Sequence, residues 1–256
     1  MKWPERLILV RHDVSTYNAL KAQKEATPVY QEFKKAYKAN PESEETKKLA
    51  TIVLAQFGAK NGDHNTPLVE NAIEQARMVG ENLKLMKELP RVIFVSPYLR
   101  TQLTLQRMKQ GWPELAGVKT VEEERIREQD HGLSILYNDW RVFNVFHPDQ
   151  IKLREAQGAY WYRYPQGENV PDVRMRLRDW LGTLTRDYAG QNVLAISHHL
   201  TILSLRANLE RLDAKEFLRL DQEEKPINCG VTIYQGRPNE GVDGRLVLET
   251  YNLKLW

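Results

Sequence analysis

Three short runs of uninterrupted apolar residues constrain what this chain can fold into. Leu7-Ile8-Leu9-Val10, Val92-Ile93-Phe94-Val95 and Val193-Leu194-Ala195-Ile196 show no polar alternation. A strand with one wet face alternates, whereas a strand covered on both faces reads as continuous. Each run ends in a polar cluster: Arg11-His12, Ser96-Pro97 and Ser197-His198-His199. Helical patterns follow at about residues 68–88, 98–110 and 199–210. This alternation predicts an α/β fold, a three-layer sandwich with a mainly parallel sheet and helices on both faces. Ligands bind at the carboxyl ends of strands in such sheets. Three distant segments are thereby expected to deliver His and Arg side chains to one edge.

The rest of the chain decorates that plan. A helical pattern covers 168–188 after the loop Arg163-Tyr164-Pro165-Gln166-Gly167, and two further strands are expected at 231–234 and 246–250. Residues 19–62 are rich in Lys, Glu, Ala and Gln and are broken by Pro28, Pro41 and the turn signal Asn61-Gly62. They predict one or two amphipathic helices inserted into a single domain spanning 1–256. The insertion is either a solvated decoration or a lid over the ligand side of the sheet.

Composition excludes several classes. Of 256 residues, 41% are hydrophobic and 28% charged, which suits a soluble globular protein. The net charge of +3 is small and the basic residues are scattered, so no nucleic-acid partner is expected. No run approaches the ~18 apolar residues of a membrane span, and the N-terminal apolar run is too short for a signal peptide. A cytoplasmic location is the expectation. Cys229 is the one cysteine, which rules out an intrachain disulfide and reads as a small buried hydrophobe.

The strand-end residues suit phosphoryl chemistry. Two arginines such as Arg11 and Arg100 can chelate the oxygens of a phosphoryl group. A neutral imidazole can attack phosphorus to give a covalent phosphohistidine. Cationic donors around it would stabilise the charge that develops on those oxygens.

Four ordered motifs then resemble the histidine phosphatase superfamily, in its phosphoglycerate mutase-like branch. They are Arg11-His12-Asp13-Val14-Ser15-Thr16-Tyr17-Asn18, Ser96-Pro97-Tyr98-Leu99-Arg100 with Thr104, Arg127-Glu128-Gln129-Asp130-His131-Gly132, and Ser197-His198-His199. The resemblance runs from residue 7 to about 205, and the 162–169 segment is similar to broad-specificity phosphatases. It implies that His12 is the phosphorylated nucleophile, that Arg11, Arg100 and His198 bind the phosphoryl group, and that Ser15 and Asn18 assist. It implies that Glu128 protonates the leaving oxygen and then activates water, a role general acid–base chemistry requires of some group here. A plain surface acid is the alternative for Glu128, with Asp130 as substitute.

The implied activity is metal-independent hydrolysis of phosphate monoesters of small metabolites, with no cofactor; a homodimer is compatible with it. A mutase-type phosphotransferase and a weakened phosphate-binding scaffold are the alternatives. Asp13 and His199 motivate the scaffold, since each stands where the family has a small residue. His64, His131 and His147 lack metal-ligand spacing. Trp140, Tyr160, Trp161, Tyr162 and Tyr164 either line a substrate or pack within the protein.

Overall fold

A strand buried on both faces needs a layer on each, and the helices of this chain supply both. The computed structural model describes residues 2–59, 62–70, 73–86 and 88–256, except for the side chain of Ile73. Asn61 of the expected turn lies outside them. The described strands form one sheet: β1 (Arg6–Arg11), β2 (Val92–Val95), β3 (Lys119–Glu122), β4 (Asn192–Ser197), β5 (Val231–Arg237) and β6 (Arg245–Leu253). The described α-helices are α1 (Thr16–Glu25), α2 (Pro28–Ala39), α3 (Glu44–Phe57), α4 (Ile73–Met86), α5 (Leu99–Gly111), α6 (Trp140–Phe146), α7 (Pro148–Gln157), α8 (Val170–Asp187), α9 (His199–Leu209) and α10 (Ala214–Glu223). None of them is long and apolar enough to cross a membrane.

The residues fall into two compact units. One comprises Met1–Ser15, Pro67–Gln129 and Val170–Trp256; the other comprises Thr16–Thr66 and Asp130–Asn169.

The first unit holds the sheet, in the order β3-β2-β4-β1-β5-β6. β1 to β4 are mutually parallel, while β5 and β6 are antiparallel additions. Register sets the position of the ligand edge. Arg11 lies opposite Ser197, and Val95 lies opposite Ile196, so β2, β4 and β1 finish side by side. Alternate residues face opposite layers. Leu7, Leu9, Phe94, Val193 and Ala195 pack on Val173, Leu177, Trp180 and Leu184 of α8 and on Ile202 and Leu205 of α9. Ile8, Val10, Ile93, Leu194 and Ile196 pack on Ala76, Val79 and Leu83 of α4 and on Leu105 and Met108 of α5. α4 and α5 approach so closely that a Cβ on Gly80 or Gly111 would collide with the backbone of Met108 or Arg77.

Two boundaries differ from expectation. Among the described residues, the helix expected from about residue 68 runs Ile73–Met86. Leu68 instead forms an antiparallel bridge with Ser15, and Val69 N donates to Val14 O, which commits that segment to extended pairing. β3 was not anticipated, because this four-residue edge strand carries no apolar run and its residues are largely exposed.

In the second unit the Thr16–Thr66 segment contains three described α-helices, α1 to α3, where the 19–62 insertion was expected to form one or two, and residues 130–169, with α6 and α7, belong with them. Pro28 opens α2, and the Ser43 side chain caps α3 by accepting from Thr46 N over 3.1 Å. Tyr30, Phe33, Ala50, Val53, Phe57, Val142 and Val145 make its core. Beside that core lies a buried ion pair, Lys24 Nζ to Asp139 Oδ2 at 2.8 Å, with side chains 2% and 5% exposed. Tyr30 OH donates to the same oxygen, and Lys24 also donates to Asn138 O. Burial pushes the Asp139 carboxyl up, but Lys24 and the hydrogen bonds outweigh it and hold it below its ordinary value.

Removing one partner of such a pair strands the other charge. Lys24→Met is therefore expected to destabilise the protein by about 3–5 kcal/mol in urea unfolding at neutral pH. The folded-state value of Asp139 is depressed, so its contribution is present above the unfolded value and fades as pH falls through the folded one. A loss under about 1 kcal/mol would show that the pair contributes no more than a surface bridge.

Candidate active site

The strand-end residues expected from sequence meet in the first unit. His12 N donates to Ser197 O over 2.9 Å and Ser96 N to Ile196 O over 3.1 Å, extending the sheet pairing past the ends of the strands. His12 and His198 are 3% and 0% exposed, with ring centroids 5.3 Å apart. The Tyr98 ring meets His198 edge-on at 5.0 Å, and the Arg100 guanidinium lies over Tyr98 at 4.9 Å. Arg100 is itself buried.

Each imidazole is oriented through one nitrogen. His12 Nδ1 lies 2.6 Å from the Asp13 carbonyl oxygen, which can only accept. That fixes the tautomer with a proton on Nδ1 and leaves the lone pair on Nε2. His198 Nε2 lies 2.7 Å from Ser96 Oγ. Burial first, then the charges of Arg100 and Arg11, holds His12 well below the ordinary histidine value. Burial, Arg100, His12 and Arg11 do the same to His198. Both rings are thus neutral, as an attacking imidazole must be.

Arg11 is held by Nη1 donating to Pro226 O over 2.7 Å. Burial pulls its guanidinium below the ordinary arginine value, opposed by Glu128 and reinforced by Arg100, yet an arginine stays cationic in this range. Among the described residues, Arg11 Nε and His198 Nδ1 are buried without a hydrogen-bond partner. Both can serve as hydrogen-bond donors to a polar ligand.

Glu128 is half-buried rather than a surface acid. Its Oε1 accepts from Leu200 N at 3.1 Å, Thr201 N at 3.3 Å and Gln129 N at 3.1 Å, while Oε2 makes a longer 3.4 Å contact with Leu200 N. The carboxyl thereby caps α9, whose N-cap residue His198 makes no side-chain cap. Its backbone is tied down by Arg176 Nη2 to Glu128 O at 3.1 Å, Thr201 Oγ1 to Arg127 O at 2.5 Å and Ser197 Oγ to Ile126 O at 2.7 Å.

Ser15 is buried in the same unit. Asn18 and Asp130 belong to the second unit, Asn18 in α1. Tyr160 and Tyr162 are buried there, and Trp161 is exposed. The two departures from the family pattern have partners of their own. Asp13 turns its carboxylate onto Val14 N and Ala76 N, and His199 Nε2 lies 2.8 Å from Asp221 Oδ1 of α10. Among the described residues, no group of three or more His, Cys, Asp or Glu could hold a metal ion.

Sequence reasoning did not assign Ser96, Tyr98, Arg176 or Asn228 to the site. Ser96 and Tyr98 were open to discovery, since they share a motif with Arg100. Asn228, whose Nδ2 donates to His12 O over 2.9 Å, is separated from it by 216 positions and carries no local signal.

A model of the histidine phosphatase superfamily (branch 1) matches residues 56–246. A phosphoglycerate mutase-like protein of Arabidopsis thaliana is 31% identical over 183 residues, covering 64% of this chain and 63% of that protein. The chain thus spans less than two thirds of that relative's length. A mycobacterial glucosyl-3-phosphoglycerate phosphatase solved with vanadate superposes with a TM-score of 0.64 at 20% identity, covering 97% of this chain and 99% of its own. A phosphoserine phosphatase variant of Entamoeba histolytica solved with phosphoserine superposes at 0.62 with 17% identity, covering 97% of each chain. At such identities the two structures share the fold.

His12 and His198 have folded-state values below the unfolded value near 6.5. Their contribution to stability is therefore present above about pH 6.5 and declines as pH falls. In an NMR titration neither imidazole should show a midpoint near the ordinary histidine value, and both should stay neutral at pH 7. A midpoint near 6.5 for either would contradict the buried, arginine-flanked setting.

Proposed function

Since the chain belongs to the histidine phosphatase superfamily, branch 1, we propose that it hydrolyses phosphate monoesters of small metabolites through a phosphohistidine on His12. The observation that carries this reading is the His12 ring itself: buried, neutral, proton-locked at Nδ1 and flanked by Arg11, Arg100 and His198.

The reaction runs in two displacements. His12 Nε2 donates its lone pair to phosphorus and the P–O bond to the alcohol breaks. Glu128, protonated on Oε2, gives its proton to the departing oxygen, which would otherwise leave as an alkoxide. Water then attacks phosphorus, the P–N bond breaks, and Glu128 takes the water's proton. Arg11, Arg100 and His198 Nδ1–H hold the equatorial oxygens, where charge concentrates in both transition states. In this role His198 needs the tautomer in which Ser96 Oγ–H donates to Nε2. Ser15 assists phosphate binding. Glucosyl-3-phosphoglycerate and phosphoserine are the compounds that name two phosphatases sharing the fold, so phosphoesters of these two types are the first to screen.

A mutase would share the first displacement and return the phosphoryl group to a bound product. The name of the Arabidopsis relative favours testing it. Isomerised phosphoester without released phosphate would establish the mutase. The contacts of Asp13 with Ala76 N and of His199 with Asp221 support the phosphatase reading over the weakened scaffold, which turnover of any phosphate monoester would exclude.

Rapid-quench labelling with a phosphorylated substrate is expected to trap acid-labile phosphate on the wild type and none on His12→Ala. With an aryl phosphate, His12→Ala should lose at least about a thousandfold in kcat. Glu128→Gln should lose about a hundredfold or more on alkyl phosphates and less on aryl ones, whose leaving group needs no proton. Equal turnover by wild type and His12→Ala would overturn the proposal.

A further inference from the structure

Behind the nucleophile, Asp13 is fully buried and has every polar atom engaged. Its amide donates to Thr104 Oγ1 over 3.0 Å. Its carbonyl receives His12 Nδ1–H at 2.6 Å and Asn228 Nδ2 at 3.2 Å. Its carboxylate accepts from Val14 N at 2.7 Å through Oδ1 and from Ala76 N at 3.1 Å through Oδ2. The Cys229 thiol donates to it as well. With its amide turned to satisfy both neighbours, Gln75 donates to Asp13 Oδ1 over 3.2 Å and accepts from Trp256 Nε1 over 3.0 Å. Trp256 packs against the core cluster on the α4 side, and the adjacent Leu255 O accepts from Asn82 Nδ2 over 2.8 Å.

This arrangement is more than repair of an awkward residue. Asp13 does not have the positive φ that would demand glycine. A glycine there would free the peptide that carries the His12-binding carbonyl. The carboxylate does the reverse, pinning that peptide to the first turn of α4, where helix amides favour an anion. Burying a carboxylate is costly unless its hydrogen bonds are made, and here they are.

We propose that Asp13 is a positioning residue whose carboxylate, braced through Gln75 by Trp256, fixes the carbonyl that holds His12 Nδ1–H and so aims Nε2 at phosphorus. The inference rests on His12 being the nucleophile. It predicts that the brace acts on the rate of attack and on the His12 tautomer, and leaves phosphate binding alone.

The test compares Asp13→Gly, Asp13→Asn, Gln75→Ala and Trp256→Phe with wild type, using an aryl phosphate in rapid quench, inhibition by inorganic phosphate, and ¹⁵N NMR of the imidazoles. Asp13→Gly should slow phosphoenzyme formation about tenfold, short of the 10²-fold that a 1 Å misplacement can cost. Inhibition by inorganic phosphate should be unchanged, and the His12 signals should move from a single Nδ1–H tautomer to an average. Asp13→Asn keeps the volume but turns an amide NH2 onto one of the backbone N–H groups that the carboxylate accepts, so it should slow the reaction too, though less than Asp13→Gly. Gln75→Ala and Trp256→Phe should show the same signature in smaller measure, and they carry the test if Asp13→Gly does not fold. Wild-type rates of phosphoenzyme formation with an intact Nδ1–H tautomer across the folded variants would overturn the inference. Turnover by His12→Ala would instead overturn the nucleophile reading beneath it.

Discussion

One hydrogen bond organises the chemistry of this protein: His12 Nδ1 on the carbonyl of Asp13 at 2.6 Å. A carbonyl can only accept, so the bond decides which nitrogen carries the proton and which keeps its lone pair. Burial and two nearby arginines then keep the ring neutral where a free histidine would begin to charge. The cations that would bind phosphate are thus the same groups that hold the nucleophile unprotonated. Removing water from around the ring achieves both ends at once, since it also strengthens each interaction with the phosphoryl oxygens.

That bond depends in turn on the sheet. β4 lies between β2 and β1, and all three run parallel and finish at one level. The first residues past them are His12, Ser96 and His198. Because α5 and α9 start within a few residues of the ends of β2 and β4, Arg100 and the His198 ring are set down beside His12 by rigid elements. Glu128 has no strand of its own and is secured instead by the amides of α9 and by Arg176. Its carboxyl serves as the helix cap, so the acid proposed for catalysis is held by the helix that carries His198.

Much of this was legible in the sequence, for physical reasons. Continuous apolar runs mark strands covered on both faces, and five of the strands were read that way or from a turn-flanked pair. β3 escaped because Lys119–Glu122 lies at an edge and has no apolar run. Arg11, His12, Arg100 and His198 were legible because each lies at or soon after the carboxyl end of an apolar run. Glu128 rested on resemblance, and its capping of α9 spans 72 positions that no local pattern connects. Asp13 read as a disturbance because charge was visible in the sequence and direction was not. Only the fold reveals that its carboxylate turns onto Ala76 N of α4. The helices of the 19–62 insertion were foreseen in kind but not in number, and their association with 130–169 rests on long-range packing around Tyr30 and Phe33.

The most direct measurement is the identity of the phosphorylated nitrogen. Phosphoenzyme trapped with an aryl phosphate and kept at alkaline pH can be read by ³¹P and ¹⁵N NMR. The account predicts a single phosphoryl group on Nε2 of His12, with Nδ1 still bonded to the Asp13 carbonyl. Phosphate on Nδ1, on His198, or on no histidine at all would contradict it.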